Sequence, residues 1–467
     1  MKPQTPTISA ARRVAYRFLL RVETENSYTS HLLQSESMEP LRPADRRLAT
    51  ALVMGVLRWK RRLDWVIENY AGRSIDDIDL EAQILLRMAF YQLRFMTKIP
   101  AHAVVHEAVE QAKTENRHHL SGFINAVLRR GLSDPGVEQR IALIKAPERR
   151  LSIMGSHPEW LMARWIERYG TERALQWAQA NNTTPVTALH INRRKTSREA
   201  VLERLQAHRL DPKPSQYFSD TLLLDGVAPI IKELCDEGLV HLQDEASRMV
   251  ATLLGDCTGL TVLDLCAAPG GKSILLSRAV GESGRVIAMD RYSARLQVLQ
   301  KRRLALGLSN VAPLVADATE PLPIKGLVDV ILVDAPCSGL GTLQRNPEIK
   351  WKADPADFGQ LAAKQSALLG RAAPHVKIEG RLLYSTCSTE PEENEGVVDR
   401  FLKDHPEFTR LDPELTPAIE KFFDRRSRAF RTFPGDGRAD GFFAVLLKKT
   451  GIDQPPGVTE ETERLAL

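Results

Sequence analysis

The stretch Leu260-Thr261-Val262-Leu263-Asp264-Leu265-Cys266-Ala267-Ala268-Pro269-Gly270-Gly271-Lys272-Ser273 decides the fold. It begins as a short apolar run of strand length, passes through small residues, a proline and two adjacent glycines, and continues into the apolar helical start Ile274-Leu275-Leu276. A buried parallel strand that opens through such a turn into a helix is the layout by which α/β proteins present backbone N–H groups to a ligand.

The same pattern repeats downstream. Gly284 to Asp290 reads as a strand, Ser293 to Leu306 as a helix, Val311 to Asp317 and Val328 to Asp334 as strands, and residues near 355 to 373 as a long helix. Arg381 to Cys387 and Gly441 to Leu447 read as further strands. Strands separated by helices require crossovers, which predicts a mostly parallel sheet with helices on both faces. Ligands on such a sheet bind outside the carboxyl ends of the strands. Those ends carry Cys266, Asp290, Asp317, Asp334 with Cys337 just beyond, and Cys387.

Two phosphate-binding readings of the turn fail on single positions. A P-loop needs a glycine five residues before Gly271-Lys272-Ser273, where Cys266 stands. The dinucleotide fingerprint needs spaced glycines, whereas Gly270 and Gly271 are adjacent. A nucleoside without phosphates, such as S-adenosylmethionine, asks less of the loop. It still uses an acid about 20 residues on, as Asp290 is, to accept hydrogen bonds from ribose hydroxyls.

The chain has five cysteines, widely scattered and odd in number, which excludes a disulfide framework and offers no zinc pair. Cys257 and Cys266 sit in apolar strand surroundings, where an inert thiol is the rule. Cys337 and Cys387 instead lie at two strand ends of one sheet and can converge. Thr389-Glu390-Pro391-Glu392 after Cys387 reads as a capping box, and a helix N-terminus beside a thiol favours the nucleophilic thiolate. A thiolate near a methyl donor suggests a particular chemistry. Carbon 5 of a pyrimidine is a poor nucleophile until a thiolate adds to carbon 6; it can then attack the sulfonium methyl, after which a base removes the carbon 5 proton and the thiolate is expelled. Asp334 can hydrogen-bond the cytosine edge and reject uracil.

The first 145 residues are helical and basic. Val14, Phe18, Leu19 and Val22 share a helical face, as do Leu48, Leu52, Val53 and Val56, then Ile84, Met88, Tyr91 and Phe95, and finally Phe123, Ile124, Val127 and Leu128. Residues 1–62 hold twelve Lys or Arg against five Asp or Glu, so they carry +7 of a chain total of +5. Arg12, Arg13, Arg17, Arg21, Arg46, Arg47, Arg58, Arg61 and Arg62 crowd these helices, a distribution that favours a polyanion or merely a solvated face. His102 and His106 are four apart without the acid of a zinc protease between them, so a structural helix is predicted and no metal site. Between the halves, helical residues 146–182 precede alternating strand-like and helix-like patterns from Val186 to Leu242, a small α/β module. Arg193, Arg194 and Lys195 follow its first strand.

Two resemblances add to this reading. Ala10 to Ala15, Asp45-Arg46-Arg47 and Phe123 to Arg129 resemble the helical RNA-binding domain of the NusB antitermination family over roughly residues 8–132. Leu263 to Lys272, Asp334 to Gly339, Arg345-Asn346-Pro347-Glu348-Ile349-Lys350-Trp351 and Tyr384 to Ser388 resemble the two-cysteine RNA cytosine-5 methyltransferases. Gln243 to Ser247 and Gly435 to Phe443 match that family as well, with Arg438-Ala439-Asp440 inserted where the glycine-rich stretch is expected to lead straight into the strand. The resemblance implies that Cys387 is the nucleophile and that Cys337 assists release of the product. It further implies a donor pocket of Cys266, Ala267, Ala268, Pro269, Gly270, Gly271 and Lys272 with Asp290, Asp317 and Asp334.

The expectations are then an all-α NusB-like domain over residues 1–145, a helical linker with a small α/β module over 146–242, and an α/β Rossmann-like class I methyltransferase domain over 243–449, followed by a flexible tail over 450–467. The expected function is methyl transfer from S-adenosyl-L-methionine to carbon 5 of a cytosine in 16S ribosomal RNA. No apolar run reaches membrane length and no signal-peptide core precedes the first arginines, so a cytoplasmic location is expected; the chain is also expected to hold no metal and to be a monomer. On the residues alone, an RNA-directed P-loop NTPase and a non-catalytic RNA-binding factor stay open as rivals.

Overall fold

Apolar spacing sets the helices of the N-terminal half. α1 (Ala10–Thr24) starts behind Ser9, whose hydroxyl accepts the Arg12 N–H, and buries Phe18, Leu19 and Val22. α2 (Thr29–Leu32) is a single turn. α3 (Pro43–Ala71) opens on a proline, where a missing N–H costs nothing, and stops at Gly72 in the left-handed region (φ 72°). α4 (Leu80–Phe95), α5 (Ala101–Thr114) and α6 (Ser121–Ser133) complete the bundle. Leu52, Val53, Ile84, Met88, Ile124, Val127 and Leu128 meet in its core, each fully buried side chain contributing roughly 1.5–3 kcal/mol. Of the predicted stripes only the end of the α4 stripe leaves this core: Phe95 is partly exposed and stacks on Tyr91 and Trp59.

The computed structural model describes residues 8–451 except 26, 227 and 438, so the tail expected to be flexible lies outside the described residues beyond Gly451. The chain forms two compact units. The first runs through Pro185 and also takes in Thr342–Asp354 and a short stretch from Pro434; the second begins at Val186. α7 (Pro147–Gly155) and α8 (Glu159–Asn181) belong to the first unit, α8 being broken at Gly170 by non-helical backbone.

The basic helices divide into two kinds of arginine. Arg12 is buried, donating to Gln92 Oε1 (2.7 Å) and Glu107 Oε1 (3.1 Å), and Arg58 donates to the Gln344 carbonyl (2.9 Å). Arg62 pairs with Glu138 and Arg61 with Glu68. These hold the unit together, while Arg17, Arg21, Arg46 and Arg47 remain exposed.

Thr342–Asp354, counted with the catalytic half from the sequence, packs among these helices because its polar side chains find their partners there. Glu348 accepts from the Thr29 N–H (3.0 Å) and hydroxyl (2.7 Å), and the Trp351 indole donates to the Leu57 carbonyl (2.7 Å). Lys350 is 1% exposed and donates to the Arg58 carbonyl (3.0 Å) and Asn182 Oδ1 (3.1 Å). Burial, then the Arg58 cation, push its amine well below the ordinary lysine range.

In the second unit a four-stranded antiparallel sheet comes first. It consists of β1 (Val186–Ile191), β2 (Lys213–Pro214), β3 (Thr221–Asp225) and β4 (Val240–Leu242), in the order β2-β3-β1-β4. α9 (Arg198–Ala207) and α10 (Pro229–Asp236) contribute Val201, Leu205, Ile230, Ile231 and Leu234 to a core with Leu189, Ile191, Leu222 and Leu224.

α11 (Glu245–Thr252), capped by Asp244, leads into the large sheet. Its strands are β5 (Thr261–Asp264), β6 (Arg285–Asp290), β7 (Val311–Val315), β8 (Val328–Asp334), β9 (Val376–Thr386), β10 (Phe408–Arg410), β11 (Phe423–Asp424), β12 (Ala429–Thr432) and β13 (Phe442–Lys449). Their order is β11-β12-β13-β9-β8-β5-β6-β7, with β10 beside β13. β5 through β9 pair in parallel, separated by α12 (Gly271–Ala279), α13 (Ser293–Leu306) and the helix Phe358–Ala372.

Alternation along β5 supplies both cores. Val262 shares one core with Ala246, Ile274 and Leu299, while Leu263 shares the other with Ile331, Leu368 and Leu382. The expectation of a mostly parallel sheet holds only for this half. β10 to β13 are antiparallel, because the connections from β11 to β12 and from β12 to β13 are too short for a crossover.

Lys350→Ala should open a cavity and leave two acceptors unmet, at about 1–3 kcal/mol for each unmet group. Urea unfolding followed by circular dichroism should show the loss.

Candidate active site

The first strand of the sheet, β5, lies between β6 and β8, so the chain turns to either side of it and a crevice opens at its carboxyl end. Cys266 to Gly270 line that end and are held from both sides. The Leu265 N–H donates to the Leu332 carbonyl (3.0 Å) and the Ala267 N–H to the Met289 carbonyl (2.8 Å). Asp290, at the end of β6, accepts from the Ala268 N–H (3.2 Å) and the Tyr292 N–H (2.9 Å). Pro269 continues the loop to Gly270, where φ is 103° and an added Cβ would stand 2.3 Å from Leu299 Cδ1. Both facts require glycine. Gly270 is also the N-cap of α12 and has no side chain to cap it, which leaves the first amides of the helix without a side-chain cap.

Lys272 is buried. Its ammonium donates to Asp334 Oδ2 (2.8 Å) and lies 4.8 Å from the centre of the Phe442 ring. The other oxygen of Asp334 accepts from the Ser385 hydroxyl (2.8 Å), which links the ends of β5, β8 and β9. Asp317, past the end of β7, accepts from the Thr319 N–H (2.9 Å) and hydroxyl (2.7 Å), which hold its carboxyl below its ordinary range. It lies 3.8 Å from Arg291, the residue after Asp290.

Cys337 and Cys387 do converge. Their Sγ atoms are 3.4 Å apart, one just beyond β8 and the other just beyond β9. The hydrogen bond shared with Cys387, and then burial, push the Cys337 thiol well above its ordinary range, so it keeps its proton. The Cys266 thiol is raised as well, by burial first and then by Asp264 and Asp334.

One backbone knot fixes these loops. The Gly341 N–H donates to the Cys387 carbonyl (2.8 Å), and the Gly441 N–H donates to the Gly341 carbonyl (2.7 Å). A Cβ on Gly341 would stand 2.0 Å from Gly441 O, so only glycine allows the approach. Of the inserted residues, Arg438 lies outside the described residues, and Asp440 is seated, its N–H donating to Asp244 Oδ1 (3.3 Å) and its carbonyl accepting the Thr432 hydroxyl (2.7 Å).

A family model described as 16S rRNA methyltransferase RsmB/F matches residues 251–448, one for the NusB family matches 9–132, and one for the ferredoxin-like domain of RsmF/B-like methyltransferases matches 157–231. The probable ribosomal RNA small subunit methyltransferase B of Synechocystis sp. is 35% identical over 445 residues, 94% of this chain and 99% of that protein. The ribosomal RNA small subunit methyltransferase B of Citrobacter koseri is also 35% identical, over 412 residues, covering 87% of this chain and 91% of that one. The chain belongs to the ribosomal RNA small subunit methyltransferase B family. The crystal structure of PH0851 is similar to this chain, with a TM-score of 0.78 at 25% identity over 96% of this chain and 100% of that one.

Members of this family are methyltransferase enzymes, and in this one the order of folds is helical domain, small antiparallel sheet and Rossmann-like sheet. The predicted capping box after Cys387 is not formed. The helix begins at Glu395 behind Asn394, and the Thr389 hydroxyl bonds the Glu390 carboxylate instead. The reason is that Glu393 and Asn394 turn inward. Asn394 Oδ1 accepts the Thr386 hydroxyl (2.6 Å) and its Nδ2 donates to the Ser388 carbonyl (3.0 Å). His102 and His106 lie on α5, and among the described residues no group of three His, Cys, Asp or Glu is placed to hold a metal. No described helix is long and apolar enough to cross a membrane.

Sequence reasoning missed Glu393, which binds both cysteine loops, and Asp264. The signal for the first was the repeated Cys-Ser pair, 337–338 and 387–388. Asp264 lies under the turn with its Oδ2 accepting the Ser273 hydroxyl (2.7 Å), and burial raises its carboxyl to about 7. A carboxyl raised in the folded state contributes stability below its unfolded range near 4, and loses it as pH climbs through about 7. Asp264→Asn removes that loss. The melting temperature of the variant should therefore gain on the parent between pH 5 and pH 8, and a constant difference would contradict the assignment.

Proposed function

We propose that this chain transfers the methyl group of S-adenosylmethionine to carbon 5 of a cytosine in 16S ribosomal RNA, through a covalent adduct with Cys387. The observation that carries this reading is the pair of thiols 3.4 Å apart beside the glycine turn. A single thiol would suffice to form an adduct, and a second in contact with it gives the release step its own group.

The residues of the crevice fit the donor. The helix start of α12, with no side-chain cap, suits a carboxylate, Asp290 has acceptor capacity left for ribose hydroxyls, and Asp317 lies one strand further along. Bound there, S-adenosylmethionine supplies an electrophilic methyl. Cys387 adds to carbon 6 of the base, and the electron pair this places on carbon 5 takes the methyl, leaving a thioether. A base then removes the carbon 5 proton, and elimination of the Cys387 thiolate restores the ring, with Cys337 assisting. Asp334, oriented by Lys272 and Ser385, addresses the cytosine edge. The exposed arginines Arg17, Arg21, Arg46 and Arg47 contribute to docking the RNA. On this reading the boundaries at residues 145, 242 and 449 separate docking, connection and catalysis. The protein works as a cytoplasmic monomer.

Purified protein should transfer labelled methyl to unmodified 16S RNA, offered either naked or as an assembling particle. Absence of transfer to both would end the proposal. Cys387→Ala should lower transfer below detection. Cys337→Ala should accumulate a protein–RNA adduct that survives denaturing electrophoresis, and an adduct trapped by Cys387→Ala instead would reverse the two roles.

A further inference from the structure

We propose that Glu393 is the positioning residue of the thiol pair: its carboxylate ties the loop after β8 to the loop after β9 and so sets the spacing of Cys337 and Cys387 on which turnover depends. The inference rests on the reading that these two thiols act on the base.

Glu393 is fully buried, and four donors reach its carboxylate. Oε1 accepts from the Ser338 N–H (2.8 Å) and from the Gln365 amide (2.9 Å). Oε2 accepts both the Ser338 and the Ser388 hydroxyls, which are 3.0 Å from one another. Ser338 directly follows Cys337 and Ser388 directly follows Cys387, so one carboxylate grips the neighbour of each thiol. Gln365 fixes the same loop a second time by donating to the Pro336 carbonyl (3.0 Å), from the helix Phe358–Ala372.

The backbone of Glu393 is itself anchored, its carbonyl accepting the Tyr384 hydroxyl (2.6 Å) from β9. A residue needed only to fill space here would not have to be an acid. A buried carboxylate is costly unless its lone pairs are met, and here all the donors come from the walls of the thiol site. Its negative charge also adds to the forces that keep the proton on Cys337.

The spacing can be read directly with phenylarsine oxide, which bridges two adjacent thiols through two As–S bonds with loss of water. The parent protein should be captured rapidly, and Cys337→Ala should abolish capture. Glu393→Asp keeps the charge but is one methylene too short to reach both loops. The Ser338→Ala/Ser388→Ala double variant keeps Glu393 but removes both hydroxyls it holds, and with the Ser388 hydroxyl the carboxylate's tie to the loop after β9, and it carries the test should Glu393→Asp fail to fold by circular dichroism.

In either folded variant, capture should slow at least tenfold. kcat should fall at least tenfold with KM for RNA within twofold, a split that general loosening of the fold would not produce. Capture at the parent rate in the serine double variant overturns the inference, as does slowed capture with unchanged kcat. If the parent itself transfers no methyl, the proposed function fails, while the arsenical measurement still decides whether Glu393 sets the spacing.

Discussion

A parallel pair of strands cannot be joined by a tight turn, and the catalytic half follows from that constraint. Every crossover returns the chain to the same edge of the sheet, so the residues after β5, β6, β8 and β9 all emerge together. Segments far apart in sequence thereby supply Cys266 to Lys272, Asp290, Asp334 with Cys337, and Cys387 to one crevice. The contacts that finish the site are short and local. Lys272 reaches Asp334, Asp334 receives Ser385, and the Gly341 amide receives its direction from the Cys387 carbonyl. The Ser385 contact would not form if β8 and β9 were not neighbours in register, with Asp334 opposite Ser385.

Much of this was legible in the chain. The apolar run at Val262 and Leu263 had to be a doubly covered strand, and the helical stripes at Leu52, Ile84 and Val127 had to face a common core. The failure of the P-loop at Cys266 pointed away from phosphates, and the position of two cysteines at strand ends pointed to their meeting. Such features are written in residue type and spacing, which sequence carries directly.

Other features were not legible because they depend on which groups meet across the fold. Thr389 to Glu392 has the residues of a capping box, but the inward turn of Glu393 and Asn394 offers better partners and the helix starts later. Arg12 and Arg58 look like members of a basic surface, yet each is engaged by an internal acceptor. Nothing in the spacing of Glu348 and Lys350 says that their partners are Thr29, Arg58 and Asn182, about 170 to 320 residues earlier in the chain.

That last placement bears on how the protein can be cut. Since Thr342–Asp354 packs with the helices before Pro185, the first compact unit is not a continuous piece of polypeptide. A fragment ending at residue 185 would keep the Thr29 hydroxyl, the Leu57 and Arg58 carbonyls and the Asn182 amide, but lose the side chains that meet them. The helical half therefore folds to completion only after the strand that carries Asp334 has been synthesised.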